Sequence, residues 1–183
     1  DCDGSGPIYE CENGTYVCDE SECIEGCPES FVENPQYVGH EDQDPCFPSS
    51  FVYYTSIQQS FYYFMSVTID EQEIGPNDWV GAFNGDVCVG ARQWGDCGGD
   101  SGCDVPALGD DGSDYSNGYM LDGQTPEFKL YHSLEDIYTD AIPSGIIQYP
   151  NGDIIDNLAW HNNQTLLVDL LSGCINNYDE CGV

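Results

Sequence analysis

Carboxylates are the side chains best placed to do chemistry in this sequence, and their spacing suits a hard cation. Gly109 to Gly123, GDDGSDYSNGYMLDG, supplies Asp110, Asp111, Asp114, Asn117 and Asp122 within one glycine-punctuated loop. Ca²⁺ takes about six to eight oxygens from Asp, Asn and backbone carbonyls on a bent chain, so this loop is the leading candidate site. At the N-terminus, Asp1-Cys2-Asp3-Gly4-Ser5-Gly6 sets two acids before glycines, and Asp1 and Asp3 form a second, partial Ca²⁺ loop. The competing reading of both stretches is a solvated surface loop.

Other reactive groups point away from catalysis. The three histidines, His40, His132 and His161, stand in no zinc-ligand spacing with the cysteines. Neither GxSxG nor HExxH occurs. A glycosidase-like acid pair is imaginable, but in a chain with 34 Asp+Glu a pair of acids carries almost no information. No enzymatic activity is expected. The eleven cysteines (Cys2, Cys11, Cys18, Cys23, Cys27, Cys46, Cys88, Cys97, Cys103, Cys174, Cys181) read as disulfides formed in an oxidising, extracellular setting. Eleven is odd, so at least one thiol is free or bonded to another chain. Asn13-Gly14-Thr15 and Asn163-Gln164-Thr165 are sequons, making Asn13 and Asn163 candidate glycosylation sites.

Composition narrows the partners. Against 34 Asp+Glu there are 2 Lys+Arg, a formal charge of −32. Phosphate recognition needs basic residues, so nucleic acid is excluded, and anionic membrane surfaces with it. Repulsion this strong opposes a compact state unless cations bind. Thirteen Tyr, seven Phe and three Trp argue against disorder, because disordered acidic chains lack aromatics. No apolar run is long enough for a spanning helix. The chain opens on Asp1 without a signal peptide, as expected for a processed unit of something longer.

The elements that must position these loops are strands. Asp78 to Trp94, DWVGAFNGDVCVGARQW, reads as a hairpin turning at Asn84-Gly85. In that register Val80, Ala82, Val87 and Val89 form a core face, and Trp79, Phe83 and Cys88 a second apolar face that needs cover. Arg92, the only arginine, is expected to pair with Asp78. Phe47 to Ile69 carries no charge and must be buried or paired; Phe51–Ser56 and Ser60–Ile69 read as its strands. A small hairpin is expected in Tyr9 to Cys18, and further strands at Val105–Leu108, Pro126–His132, Ile137–Tyr138, Ile146–Tyr149 and Leu166–Leu171. Cys97 and Cys103 would close a small loop. The predicted fold is all-β: an antiparallel β-sandwich (jelly-roll or Ig-like) over 47–172, after a disulfide-stapled, loop-rich segment 1–46, with a Cys-containing connector 173–183.

The hairpin, followed by the acidic GDDGSDYSNGYMLDGQTPEFKLY, resembles a module of secreted, multi-repeat surface proteins of aquatic bacteria, over about residues 48–172. YECENGTYVCDESEC is similar to the Cys-rich segments that precede such modules, although Glu12-Asn13 stands where Trp-Asp is usual. The tail YDECGV and the opening CDGSG resemble two halves of one connector between repeats. The resemblance implies a β-sandwich used in surface architecture or adhesion, without catalysis, and extracellular helical filaments joined head to tail. The expected function is a non-enzymatic subunit of such a Ca²⁺-stabilised filament, its partners copies of itself, with strand exchange from Phe31–Val38 or Leu166–Leu171. The alternative is a Ca²⁺-dependent carbohydrate-binding or adhesion module, in which exposed aromatics would stack on glycans.

Overall fold

The computed structural model describes residues 9–10, 16–17, 27, 30–35, 46–97, 102–149, 153–154 and 157–175. The chain divides into two compact units, Asp1–Ser50 and Phe51–Val183. In the first, strand β1 (Tyr9–Glu10) pairs antiparallel with β2 (Tyr16–Val17), setting Tyr9 opposite Val17, as the expected small hairpin requires. Strand β3 (Phe31–Glu33) pairs with β4 (Cys46–Pro48), and a Cys27–Cys46 disulfide ties this ladder to the preceding chain.

The second unit carries β5 (Gln59–Ile69), β6 (Gln72–Glu73), β7 (Trp79–Asn84), β8 (Val87–Gln93), β9 (Cys103–Leu108), β10 (Glu127–His132), β11 (Ile137–Tyr149), β12 (Asp153–Ile154) and β13 (Thr165–Gly173). They form one nine-stranded sheet in the order β6-β5-β13-β11-β10-β7-β8, with β9 also on β5 and β12 on β11. Every pairing is antiparallel except β13 on β5. Among the described residues the secondary structure is strands and short 3-10 turns, so the all-β expectation holds. The connectivity differs from two antiparallel sheets: a single mixed sheet curls until β8 lies along β9. Tyr62, Phe64 and Val67 of β5, Leu166, Val168 and Leu171 of β13, and Phe128 and Leu130 of β10 fill the interior. Phe128 packs in T-shaped contact with both Tyr62 and Phe64, at 5.3 and 5.0 Å between ring centroids.

The hairpin at the centre of the sequence forms, one residue out of the expected register. Its two-residue turn is Gly85-Asp86, with Asn84 opposite Val87, and Gly85 supplies the positive φ of +61°. A bulge at Ala82/Phe83 leaves Val89 as the extra residue, so Val80, Ala82 and Val89 still reach the core. Val87, expected inside, is exposed. The second face is covered by Phe51, which meets Phe83 edge-on at 5.4 Å and Tyr138 at 5.5 Å. A Cβ on Gly81 would crowd both phenylalanine rings.

Three further expectations are corrected. Phe51–Ser56 is no strand, because its polar groups are engaged by side chains and loops: Tyr119 bonds both the amide and carbonyl of Tyr54, and the Ser56 hydroxyl donates to the Gly109 carbonyl. The two short strands around Pro143 are one, β11, running through it. Proline is tolerated there because the pairing of β10 with β11 ends at Ala141, leaving that edge without a ladder to interrupt. Arg92 pairs with Asp104 of β9 at 2.8 Å, and not with Asp78, because the curl of the sheet brings β9 alongside. The Leu166–Leu171 segment is a central strand, hydrogen-bonded on both sides by β5 and β11.

Candidate functional site

The sheet's two ends differ. At one end lie the starts of β5 and β13, the β7–β8 turn and the acidic loop. Gly109 bridges to Met120, pinching the base of the loop shut. Gly109 tolerates no side chain there, since a Cβ would strike the Trp160 ring. The Trp160 indole N–H donates to the Ala107 carbonyl at 2.8 Å. Within the loop Asp110 accepts from the Gly112 amide at 2.8 Å, and Asp111 from the Ser113 amide at 3.0 Å. The buried Ser116 hydroxyl lies 3.2 Å from Asp110 Oδ1 and 2.9 Å from Asp111 Oδ1, so both carboxylates converge on one hydroxyl. Asp111 Oδ2 also accepts from the Ile57 amide at 3.3 Å, fastening the loop to the 53–58 segment. Hydrogen bonds, that of the Ser113 side chain foremost, then its amide, the Ser116 hydroxyl and the Ile57 amide, hold Asp111 well below the usual carboxylate range despite some desolvation.

Of the five oxygens expected to share a cation, the structure thus joins Asp110 and Asp111 directly. Asp114 opens the 3-10 turn Asp114–Ser116 on the solvent side, with Asn117 just after it. Asp122 is engaged elsewhere, by His161 Nδ1 at 2.7 Å. No group of three or more His, Cys, Asp or Glu side chains gathers in a metal-binding arrangement among the described residues. Ser116, absent from the sequence-derived set, is the pivot of the loop; the spacing Asp110-Asp111-x-x-x-x-Ser116 gives no signal for it. Asn163 is exposed at the tip of the turn before β13, with φ of +61°. Asp1, Asp3, Asn13, Cys2, Cys11, Cys18, Cys23 and Cys181 lie outside the described residues.

At the opposite end a cavity of about 560 Å³ opens between the 69–78 connection and the β10–β11 turn. Ile69, Ile74, Leu134 and Ile175 supply its apolar lining, and Asp70, Glu73 and Glu135 its charge. Buried Asp78 stands at its wall. Asp78 Oδ1 accepts from the Ser133 amide at 2.8 Å and the Ser133 hydroxyl at 2.9 Å, and lies 3.1 Å from His132 Nδ1; Oδ2 accepts from the Gly75 amide at 2.7 Å. Burial alone would raise its pKa, but these hydrogen bonds outweigh it and hold the carboxyl below its ordinary value. An aspartate, a histidine and a serine here touch, which their separation in sequence did not foretell. Their geometry is that of an anchor: the serine hydroxyl and the histidine both address the carboxylate, whereas an activated serine needs its proton taken by a histidine nitrogen.

Disulfides are part of the fold. Cys97–Cys103 closes the expected small loop at the start of β9, and Cys174 is also disulfide-bonded. Cys88 is the free cysteine among the described residues, and it is buried, its thiol pushed up to about 12 by that burial. The odd thiol therefore needs no second chain to account for it. No described helix is long and apolar enough to cross a membrane, and the disulfides fit a non-cytoplasmic protein. Compared with known protein families, with curated proteins and with solved structures, the chain matches none.

Proposed function

We propose that this chain is a non-enzymatic structural subunit of an extracellular assembly, joining copies of itself head to tail, with Ca²⁺ offsetting repulsion between acidic subunits. The observation that carries the reading is the pair of unlike ends on one sheet. At the acidic-loop end Ile57 projects with 85 % of its surface exposed; at the other end Leu134, 88 % exposed, rims the apolar-lined cavity. Unlike surfaces at opposite ends favour heterologous contacts, which propagate instead of closing into a two-fold dimer. With 2 Lys+Arg per chain, copies have little ionic attraction to offer one another, so apolar contact and bridging cations must supply it. Since the Leu166–Leu171 strand is already paired on both sides, strand exchange in this reading falls to the Phe31–Val38 arm, of which residues 36–38 lie outside the described set.

The carbohydrate-binding alternative draws less support, because the large aromatics are mostly interior: Trp79, Trp160, Tyr62 and Tyr131 are all fully buried.

The test is complementation at millimolar Ca²⁺ under oxidising conditions, read by light scattering and electron microscopy. Wild-type protein should form chains, and Ile57→Asp and Leu134→Asp should each stay monomeric. Mixed together, the two variants retain one intact contact between them and should stop at dimers. Wild-type protein that remains monomeric would sink the reading, as would long polymers from either variant.

A further inference from the structure

We propose that Tyr54 and Tyr115, with the carboxylates of the acidic loop, form a docking site for a lysine- or arginine-bearing segment of a basic partner protein. Among the described residues these are the aromatic rings left substantially exposed, at 45 % and 48 %, and they are neighbours: their centroids lie 6.3 Å apart at 41° to one another. The backbone segments that carry the two rings are held in place before any ligand arrives. The Tyr54 amide donates to the Tyr119 hydroxyl at 2.7 Å and that hydroxyl donates to the Tyr54 carbonyl at 3.1 Å. Tyr115 rides on the turn whose Ser116 hydroxyl is bound to Asp110 and Asp111. Preorganised segments lose little conformational freedom on binding.

The chemistry of the occupant follows from what surrounds the rings. Asp114 precedes Tyr115 in the same turn, and Asp111 is bonded to the segment that carries Tyr54. An aromatic face beside a carboxylate attracts a cation through both the ring quadrupole and the charge. This chain already uses that combination once: the Lys129 ammonium sits 5.2 Å from the Phe83 ring centroid and 3.7 Å from Asp140. At the loop rings and acids stand together, and both basic side chains of the chain are engaged at other acids. A second copy does not provide the cation, because Lys129 is held at Asp140 and Arg92 is bonded to Asp104. The partner is therefore a different, basic polypeptide, and the charge of −32 would speed its approach.

The test is a titration with a short peptide alternating arginine or lysine with serine, in chelator so that no Ca²⁺ competes for the same carboxylates, and at 150 mM NaCl so that long-range attraction is screened over roughly 8 Å. Wild-type protein should bind, and its Tyr54 and Tyr115 ring protons should shift in NMR spectra. The doubly substituted Tyr54→Leu/Tyr115→Leu protein keeps every charge and should bind roughly tenfold more weakly, the loss of two exposed cation–π contacts. Glu127→Gln, an exposed acid on β10 outside the loop, should bind as wild type does. Equal affinity in the double variant would mean mere attraction to a polyanion and would overturn the site. Tighter binding of a neutral oligosaccharide than of the peptide would overturn it as well. Should the double variant fail to fold, the ring shifts in wild-type protein decide, and their absence on peptide addition rules the site out.

Discussion

Gly90 of β8 lies directly against the carbonyl group of Pro106 of β9, so close that a methyl on Gly90 would overlap the oxygen. The sheet closes on itself along this line without a ladder between the two strands, and Pro106 has no N–H to offer one. Gly90→Ala should therefore force the two backbones apart and cost about 1–3 kcal/mol, read from the urea midpoint at unchanged slope. Val87→Ala, at an exposed position on the same strand, should change stability by less than about 0.5 kcal/mol. A Gly90→Ala protein as stable as wild type would mean that β8 does not lie along β9.

Asp78 is the anchor of the opposite end, and its charge state ties stability to pH. Its carboxyl is held below the ordinary value in the folded protein, so the stability it contributes is complete above the unfolded-state pKa, near about 3.9. That contribution is lost as pH falls through the lower, folded value. Asp78→Asn puts an amide N–H₂ against donors from Gly75 or Ser133, which leaves a buried donor without an acceptor and should cost roughly 1–3 kcal/mol at neutral pH. The gap between wild type and variant should narrow below about pH 4, as measured by denaturation at pH 7 and at pH 3. A gap independent of pH would mean that the carboxylate charge is not what holds the turn.

Local patterns in the sequence were enough for the strands and for much of the core, because alternation and turn chemistry act over a few residues. Ser60–Ile69, Pro126–His132 and Leu166–Leu171 all appear as strands within a residue or two of their expected limits. The hairpin's one-residue slip and its bulge are local, but much of the rest was decided by partners distant in sequence. Phe51–Ser56 has strand-forming residues, yet its backbone is engaged by Tyr119 and its Ser56 hydroxyl by Gly109. The turn at Asp70-Glu71 holds φ angles of 48° and 65° without a glycine or asparagine, in the conformation expected of Asn84-Gly85. Asp70 is fixed there by accepting from the Ile175 amide at 3.0 Å, a contact no local rule contains. In the acidic loop the residue types were legible and their grouping was not. Ser116, from within the loop, and His161, brought up by the fold, divide the carboxylates between them.

Cys88 offers a check on the covalent side of the assembly. It is buried on the face shared with Phe83, and burial pushes its thiol up to about 12. Native protein should resist a thiol reagent at pH 8 and react with it once unfolded, because both access and the thiolate are lacking in the fold. Cys88→Ala should cost about 1 kcal/mol from the lost packing and leave association unchanged. Rapid labelling of native protein, or assembly abolished in the Ala variant, would return this thiol to a role between chains.

The acidic loop yields the most direct test of Ca²⁺. Asp110 and Asp111 both approach the single Ser116 hydroxyl, which carries one proton and can donate it to only one acceptor at a time. A divalent cation near these oxygens would relieve the repulsion between the carboxylates, with Asp114 and Asn117 as the adjacent oxygens that the loop could swing toward it. A ligand that binds the folded state alone stabilises it by an amount that grows with the logarithm of ligand concentration over its dissociation constant, and so raises the melting temperature. Replacing Asp110, Asp111 and Asp114 together by Asn should thus lower the melting temperature chiefly when Ca²⁺ is present, and little in chelator. The wild-type protein should melt higher in Ca²⁺ than in chelator, and the variant should lose most of that difference. If the substitutions lower the melting temperature equally in both conditions, the three carboxylates serve the loop's own hydrogen bonds and the cation binds elsewhere or not at all.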